Sequence, residues 1–263
     1  MSGVVRDICL SLVSHGQANL VEILLQDLNR LLSKQRFFVV LTLNVPEDMI
    51  INEQSYTFPI HVIKNMQPKG FGANHNQAFQ AHGGKASFFF VLNPDLRVQE
   101  DIFSGCSALL ERDTSIGVIA PKVVNGQGAV EDSMRELPTL FILGKKLFGK
   151  YRDQQEMYGQ QDMCYPDWVA GMCMGFRQDT FAMLDGFDEA YFLYYEDVDL
   201  CSRVWLSGKK VCVQQQYQVI HQAQRESHRN LRYMKWHISS ILRFLTSSVY
   251  RKVKKLHQHR AVR

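Results

Sequence analysis

Phe88-Phe89-Phe90-Val91-Leu92 is an unbroken apolar run with no polar residue alternating through it. It is short for a helix and far below the ~18 residues that a bilayer span needs, so it reads as a strand covered on both faces. Ile8 to Val13 is a short, mainly apolar run and so a buried strand, and Phe37 to Leu43 is β-branched and aromatic. Ile60 to Ile63 and Ile116 to Ala120 read as further short strands. Between them, Ala18 to Leu32 carries Leu20, Ile23, Leu24, Leu28 and Leu31 at helical spacing, and Asn74 to Ala81 and Ile102 to Glu111 also read as helices. Strand and helix alternate, which predicts an α/β fold with a mostly parallel sheet and right-handed crossovers. Ligands of such sheets sit beyond the carboxyl ends of the strands. That rule selects Ser14-His15, Asn44, the loop Asn65 to Gly72, and Asn93-Pro94-Asp95.

The second half is less regular. Gly126 to Gly159 reads as a long loop with a helical piece at Phe141 to Phe148, and Trp168 to Phe176 is apolar with two glycines. Gln178 to Leu184 and Glu196 to Leu206 read as helices, and Lys210 to Val213 as a strand. From Arg229 a basic amphipathic helix begins, with Leu231, Met234, Ile238, Ile241, Leu242 and Leu245 at helical spacing. Arg251 to Arg263 holds six Lys or Arg and no acid.

Several classes are disfavoured. Met1 to Arg6 lacks the apolar run of a signal peptide. The six cysteines form no Cys-x-x-Cys pair, so a zinc site is poorly supported, and reduced thiols in the cytoplasm are the expectation. A net charge of +4 is too small to argue for nucleic acid.

Three segments can carry chemistry. Asp95, in Asn93-Pro94-Asp95, would meet the ligand crevice, where a carboxylate can hold a divalent cation against a diphosphate. An Asn-Pro-Asp turn that simply ends the strand is the alternative. Lys69-Gly70-Phe71-Gly72, running into Asn76, joins a strand to a helix, and helix-start amides attract phosphate. A plain capped loop explains it equally well. Glu196, Asp197 and Asp199 follow the aromatic run Tyr191-Phe192-Leu193-Tyr194-Tyr195, and apolar surroundings raise a carboxyl pKa toward that of a general base. The same acids would also complement a helix dipole. His221 is a candidate metal or phosphate contact, with a structural histidine as the alternative. Arg203 suits either the acids or a diphosphate.

Four motifs in order resemble family 2 inverting glycosyltransferases of the GT-A fold, in particular their bacterial rhamnosyltransferase-like branch. They are Lys69 to Phe79, Leu92 to Asp95, Trp168 to Arg177, and Gly186-Phe187-Asp188-Glu189 through Tyr195-Glu196-Asp197-Val198-Asp199 to Arg203. The resemblance implies a catalytic domain over 1–225, with a nucleotide-binding half to about 122 and an acceptor half beyond it, then a basic helical tail over 226–263. It implies Asp197 as catalytic base supported by Glu196, and Asp95 with His221 as ligands of Mg2+ or Mn2+. Ser14, His15, Asn44, Lys69, Gly70, Gly72, Asn76, Asn93, Gly171 and Arg203 would bind the nucleotide sugar. The donor expected first is dTDP-L-rhamnose and second a UDP-hexose. The acceptor expected is a growing cell-surface glycan of the O-antigen or capsule kind, or a lipid-linked oligosaccharide, at the inner face of the membrane. Two departures stand out: the second strand ends at Asn44 rather than an acid, and Asn93 replaces the first acid of the metal motif. A non-catalytic sugar-nucleotide or glycan-binding protein on the same fold is the competing reading, and donor hydrolysis separates the two. The basic tail suits an anionic membrane surface or, alternatively, packs on the catalytic domain.

Overall fold

A computed structural model describes residues 8–31, 37–47, 51–52, 55–139, 161–222 and 231–260. The strands are β1 Ile8–Ser14, β2 Phe37–Leu43, β3 Ile60–Lys64, β4 Phe88–Leu92, β5 Leu96–Arg97, β6 Ile116–Val124, β7 Met134–Arg135, β8 Met163–Cys164, β9 Trp168–Val169, β10 Cys173–Arg177 and β11 Lys210–His221. The helices are α1 Ala18–Leu31, α2 Phe71–Ala81, α3 Ile102–Arg112, α4 Gln178–Met183, α5 Glu196–Leu206, α6 Leu231–Thr246 and α7 Ser248–Arg260. The helical piece expected at Phe141 to Phe148 lies outside the described residues.

Nine strands form one sheet in the order β3-β2-β1-β4-β10-β6-β11-β5, with β8 beside β11. Every residue of β4 is buried, as its unbroken apolar run requires. The four strands β3, β2, β1 and β4 are mutually parallel, so His15, Asn44 and Asn93 emerge at one edge, beyond the carboxyl ends of β1, β2 and β4. β10 then runs antiparallel to both β4 and β6, making the sheet mixed. Parallel pairing resumes between β6 and β11, so the sheet is mostly parallel as expected, with β10 the main interruption.

Two further differences concern length. β11 continues past Val213 to His221, with a register shift between Gln214 and Gln218. That shift absorbs the polar run Gln214-Gln215-Gln216, which interrupts the apolar pattern and hides the strand in the sequence. β5 pairs antiparallel with the end of β11, setting Leu96 against His221. The tail is two helices rather than one, and both pack on the main body. Phe244, Tyr250 and Val253 are buried in the same apolar cluster as Tyr195 and Trp205. All six cysteines are buried and free. Among the described residues, no helix is long and apolar enough to cross a membrane.

The middle of the sheet leaves no room for a side chain at Gly175. A Cβ there would come within 2.3 Å of the Phe90 ring. That ring is buried and meets Phe103 edge-on at 5.3 Å, so it cannot retreat. Gly175→Ala should therefore overpack the sheet and destabilise the fold by about 1–3 kcal/mol, read as a lower urea midpoint with an unchanged slope.

Candidate active site

The strand ends open into a cleft with two connected halves. One is a cavity of about 440 Å3 walled by His15, Gln17, Lys69, Asn93, Asp95, Tyr233 and Trp236, among others. The other, about 370 Å3, is walled by Arg135, Trp168, Gly171, Tyr194, Glu196, Asp197 and His237, among others. Phe71, Asn93 and Leu193 line both and form the threshold between them.

The acid pair sits in the second half at the start of α5. Tyr194 and Tyr195 both adopt the left-handed backbone region, at φ 70° and 68°, which is costly for bulky residues. Asp197 Oδ2 accepts a hydrogen bond from the Gly171 amide at 3.0 Å, and Oδ1 one from the Val198 amide at 2.8 Å. Burial raises the Asp197 pKa, while these amides and the nearby Arg135 oppose the rise. Glu196 is pushed well above the usual carboxylate range by burial and by the Asp197 charge. Its Oε2 is buried with no hydrogen-bond partner. Two adjacent buried carboxyls cannot both ionise cheaply, so Glu196 takes the proton and Asp197, held by amides, keeps the charge. Asp199 is turned elsewhere and binds Arg203 Nε at 2.7 Å.

Of the candidate cation ligands, Asp95 lines the other half, and His221 lies behind it, outside both cavity walls. Asp95 Oδ2 lies 3.1 Å from His221 Nε2, and His221 Nδ1 lies 2.7 Å from Glu131 Oε2. Burial disfavours charge on His221, but its hydrogen bonds to Asp95 and Glu131 more than offset that and raise its pKa. Among the described residues no group of three or more His, Cys, Asp or Glu is placed to hold a metal. Asp95 fits a cation that takes its other ligands from a diphosphate, whereas both ring nitrogens of His221 are engaged, so His221 would join as a ligand only by giving up its bond to Asp95. Asp95 Oδ1 is buried and lacks a partner. Glu131 backs the distal nitrogen of His221, as carboxylates do behind metal-bound imidazoles.

The remaining expected site residues divide. His15, Asn44, Lys69 and Asn93 line the first half, and Gly171 the second. Asn44 cannot read a base edge. Its Oδ1 accepts from Lys69 N and Asn65 Nδ2, and its Nδ2 pairs with Lys69 O and His15 Nδ1, which fills its hydrogen-bonding capacity. It ties the 65–69 loop to β2 instead. Ser14 is buried, donates to Glu47, and lies outside both cavity walls. Gly70 and Gly72 do not cradle phosphate. A Cβ on Gly70 would strike the Phe192 backbone at 2.6 Å, and one on Gly72 the Phe187 side chain at 2.5 Å. The Phe71 amide is taken by Phe192 O, so the glycines serve close packing between the two halves of the domain. Asn76 and Arg203 face a separate cavity of about 690 Å3 that shares no residue with the cleft. Asn76 is there fully engaged by Phe187 and Glu189, while Arg203 bonds Asp199 and Leu184 O and leaves one guanidinium nitrogen unpartnered.

Sequence reasoning missed Glu131, Arg135, Tyr233, Trp236 and His237. The first two lie where the sequence reads as a featureless loop. The last three lie on α6 opposite its apolar stripe, and that placement was the available signal.

No family model matches the chain. It is similar to rhamnosyltransferase WbbL of Escherichia coli, 24% identical over 249 residues that cover 89% of this chain and 90% of that protein. It is also similar to N-acetylglucosaminyl-diphospho-decaprenol L-rhamnosyltransferase of Mycobacterium tuberculosis, 29% identical over 126 residues, 45% of this chain and 41% of that protein. The fold is that of a mannosyltransferase from Pyrobaculum calidifontis solved with GDP-Man and Mn2+. The TM-score is 0.59 at 11% identity, over 92% of this chain and 65% of that one.

Asn76→Ala separates its structural role from a binding one. It should lower stability by about 1–3 kcal/mol through the orphaned Phe187 amide, and should leave any nucleotide-sugar binding by the folded protein unchanged. Thermal unfolding and calorimetric titration read the two effects separately. In sequence the chain is similar to rhamnosyltransferases, and its fold is that of solved glycosyltransferases.

Proposed function

We propose that this chain moves a sugar from a nucleoside-diphosphate sugar to a hydroxyl of a growing cell-surface glycan, with inversion at the anomeric carbon. The observation that carries this is the Asp197 carboxyl, bonded by two backbone amides in one half of a cleft whose other half is lined by Asp95, with His221 behind it. The donor fits the half bounded by His15, Lys69 and Asp95, and the acceptor the half bounded by Trp168 and the acid pair. Phe71, Asn93 and Leu193 then flank the point where the two substrates meet.

Asp197 removes the proton from the acceptor hydroxyl as its oxygen bonds to the anomeric carbon. The bond from that carbon to the diphosphate oxygen breaks, and the nucleoside diphosphate leaves with the electron pair. Glu196 carries its own proton and so leaves Asp197 the only ionised carboxylate of the pair. Asp95 and His221 would hold Mg2+ or Mn2+, which supplies positive charge against the leaving diphosphate. The donor first in order is dTDP-L-rhamnose, since the similar proteins of E. coli and M. tuberculosis are named as rhamnosyltransferases, and a UDP-hexose is second. A lipid-linked oligosaccharide is the acceptor in view, because the mycobacterial protein's name specifies a decaprenol-linked one. An O-antigen or capsule glycan at the inner membrane face is the matching product and place.

The test is Asp197→Asn. Donor affinity should persist while turnover falls by about 10^2–10^4-fold, the range a positioned base contributes. In the unsubstituted enzyme, activity should climb as pH rises through the raised Asp197 pKa and then level off, because only the ionised form accepts the proton. Near-normal turnover in the variant would remove Asp197 from the role. Failure of the unsubstituted protein to release nucleoside diphosphate from any donor, with and without Mg2+ or Mn2+, would favour a binding protein over an enzyme.

A further inference from the structure

Helix α6 has two different long faces. One closes the cleft: Tyr233 and Trp236 line the first half, His237 lines the second, and Ser240 donates to Leu193 O at 2.9 Å. The other face is apolar and open. Leu231, Met234, Ile238 and Leu242 fall on one line of the helix and are 76%, 54%, 51% and 58% exposed. Contiguous exposed apolar surface of this kind marks an interaction site.

We infer that this stripe rests in the surface of an anionic lipid bilayer, with α6 lying in the membrane plane and the cleft opening beside it. The charge on the page selects that occupant. No Asp or Glu occurs between Leu231 and Arg260. Arg232 and Lys235 are exposed on α6, and Arg251, Lys252, Lys254 and Lys255 are exposed on α7. An apolar stripe bordered by cations matches a helix that lies in an interface rather than across it, and α6 does not qualify as a span. A second copy of the chain would instead bring two basic helices together, and like charges across an interface are unfavourable. The inference extends the proposed lipid-linked acceptor, since a helix with one face in the bilayer and one on the cleft brings the acceptor's sugar end to the acid pair.

Co-sedimentation of the full chain with phosphatidylcholine vesicles, with and without phosphatidylglycerol, tests this. Binding should require phosphatidylglycerol and weaken as salt rises. The combined replacement Leu231→Gln, Met234→Gln, Ile238→Gln and Leu242→Gln should reduce binding by at least tenfold, with the circular dichroism unchanged. Lys235→Glu should reduce it on the order of fivefold or more, as expected for a cation near the lipid surface. No binding by the unsubstituted chain, or binding unchanged in the apolar variant, would overturn the inference. So would a dimer in light scattering that the apolar variant turns into a monomer without any vesicle binding, which would make the stripe a contact between copies. The assay contains no donor or acceptor sugar. A negative result therefore leaves the transferase reading standing, and lost turnover with intact vesicle binding does the reverse.

Discussion

The cleft depends on one turn. Two consecutive tyrosines, Tyr194 and Tyr195, hold left-handed backbone conformations immediately before α5. Each departure costs roughly 1–2 kcal/mol, so the turn survives only because its surroundings hold it from both sides. From the nucleotide side, Phe192 O accepts the Phe71 amide across the close approach that Gly70 permits. From the tail side, Ser240 binds Leu193 O, Trp236 stacks on Phe192 at 4.6 Å, and Phe244 packs near Tyr195. A turn fixed this way starts the helix with Asp197 held to the Gly171 amide at the cleft wall and Glu196 buried beside it.

That placement gives two neighbouring carboxyls opposite electrostatic fates. Asp197 has two amide donors, and Glu196 has an orphaned oxygen in an apolar wall. Donors stabilise the ion and burial without donors stabilises the acid, so one proton on the pair settles on Glu196. At the far end of the cleft the logic inverts. His221 lies between Asp95 and Glu131, and the two carboxylates favour its positive charge. The acid pair is thus arranged to accept a proton, and Asp95 with Glu131 to keep one on His221.

The sequence made the strands of the first half legible because each is an apolar run bounded by turns, and the rule of carboxyl ends then found His15, Asn93 and Asp95 at the cleft. Asp197 was singled out by the ordered motifs that resemble glycosyltransferases, because an acidic helix start after an aromatic run is equally explained by the helix dipole. What failed shares a cause. Asn44, Gly70, Gly72 and Asn76 were read by residue type, as groups that suit ligands. Each is instead consumed by long-range partners such as Lys69, Phe192 and Phe187, which no local pattern names. β10 is similar, because nothing in Cys173 to Arg177 declares that it pairs antiparallel. Glu131 was invisible because its role exists only once β11 reaches His221, and the glutamine run conceals that reach.

The boundary drawn near residue 226 also needs another reading. By composition the tail is separate, being basic and free of acids, yet its first helix supplies walls to both halves of the cleft and holds the strained turn. α7 in turn packs on α5, with His257 2.7 Å from Asp167 and Val253 fully buried. The helix that carries the acid pair is therefore clamped at its start by α6 and along its side by α7. Any surface that α6 rests against has a fixed orientation relative to Asp197, because the same helix touches both. Composition divides the chain at that point, and packing joins it.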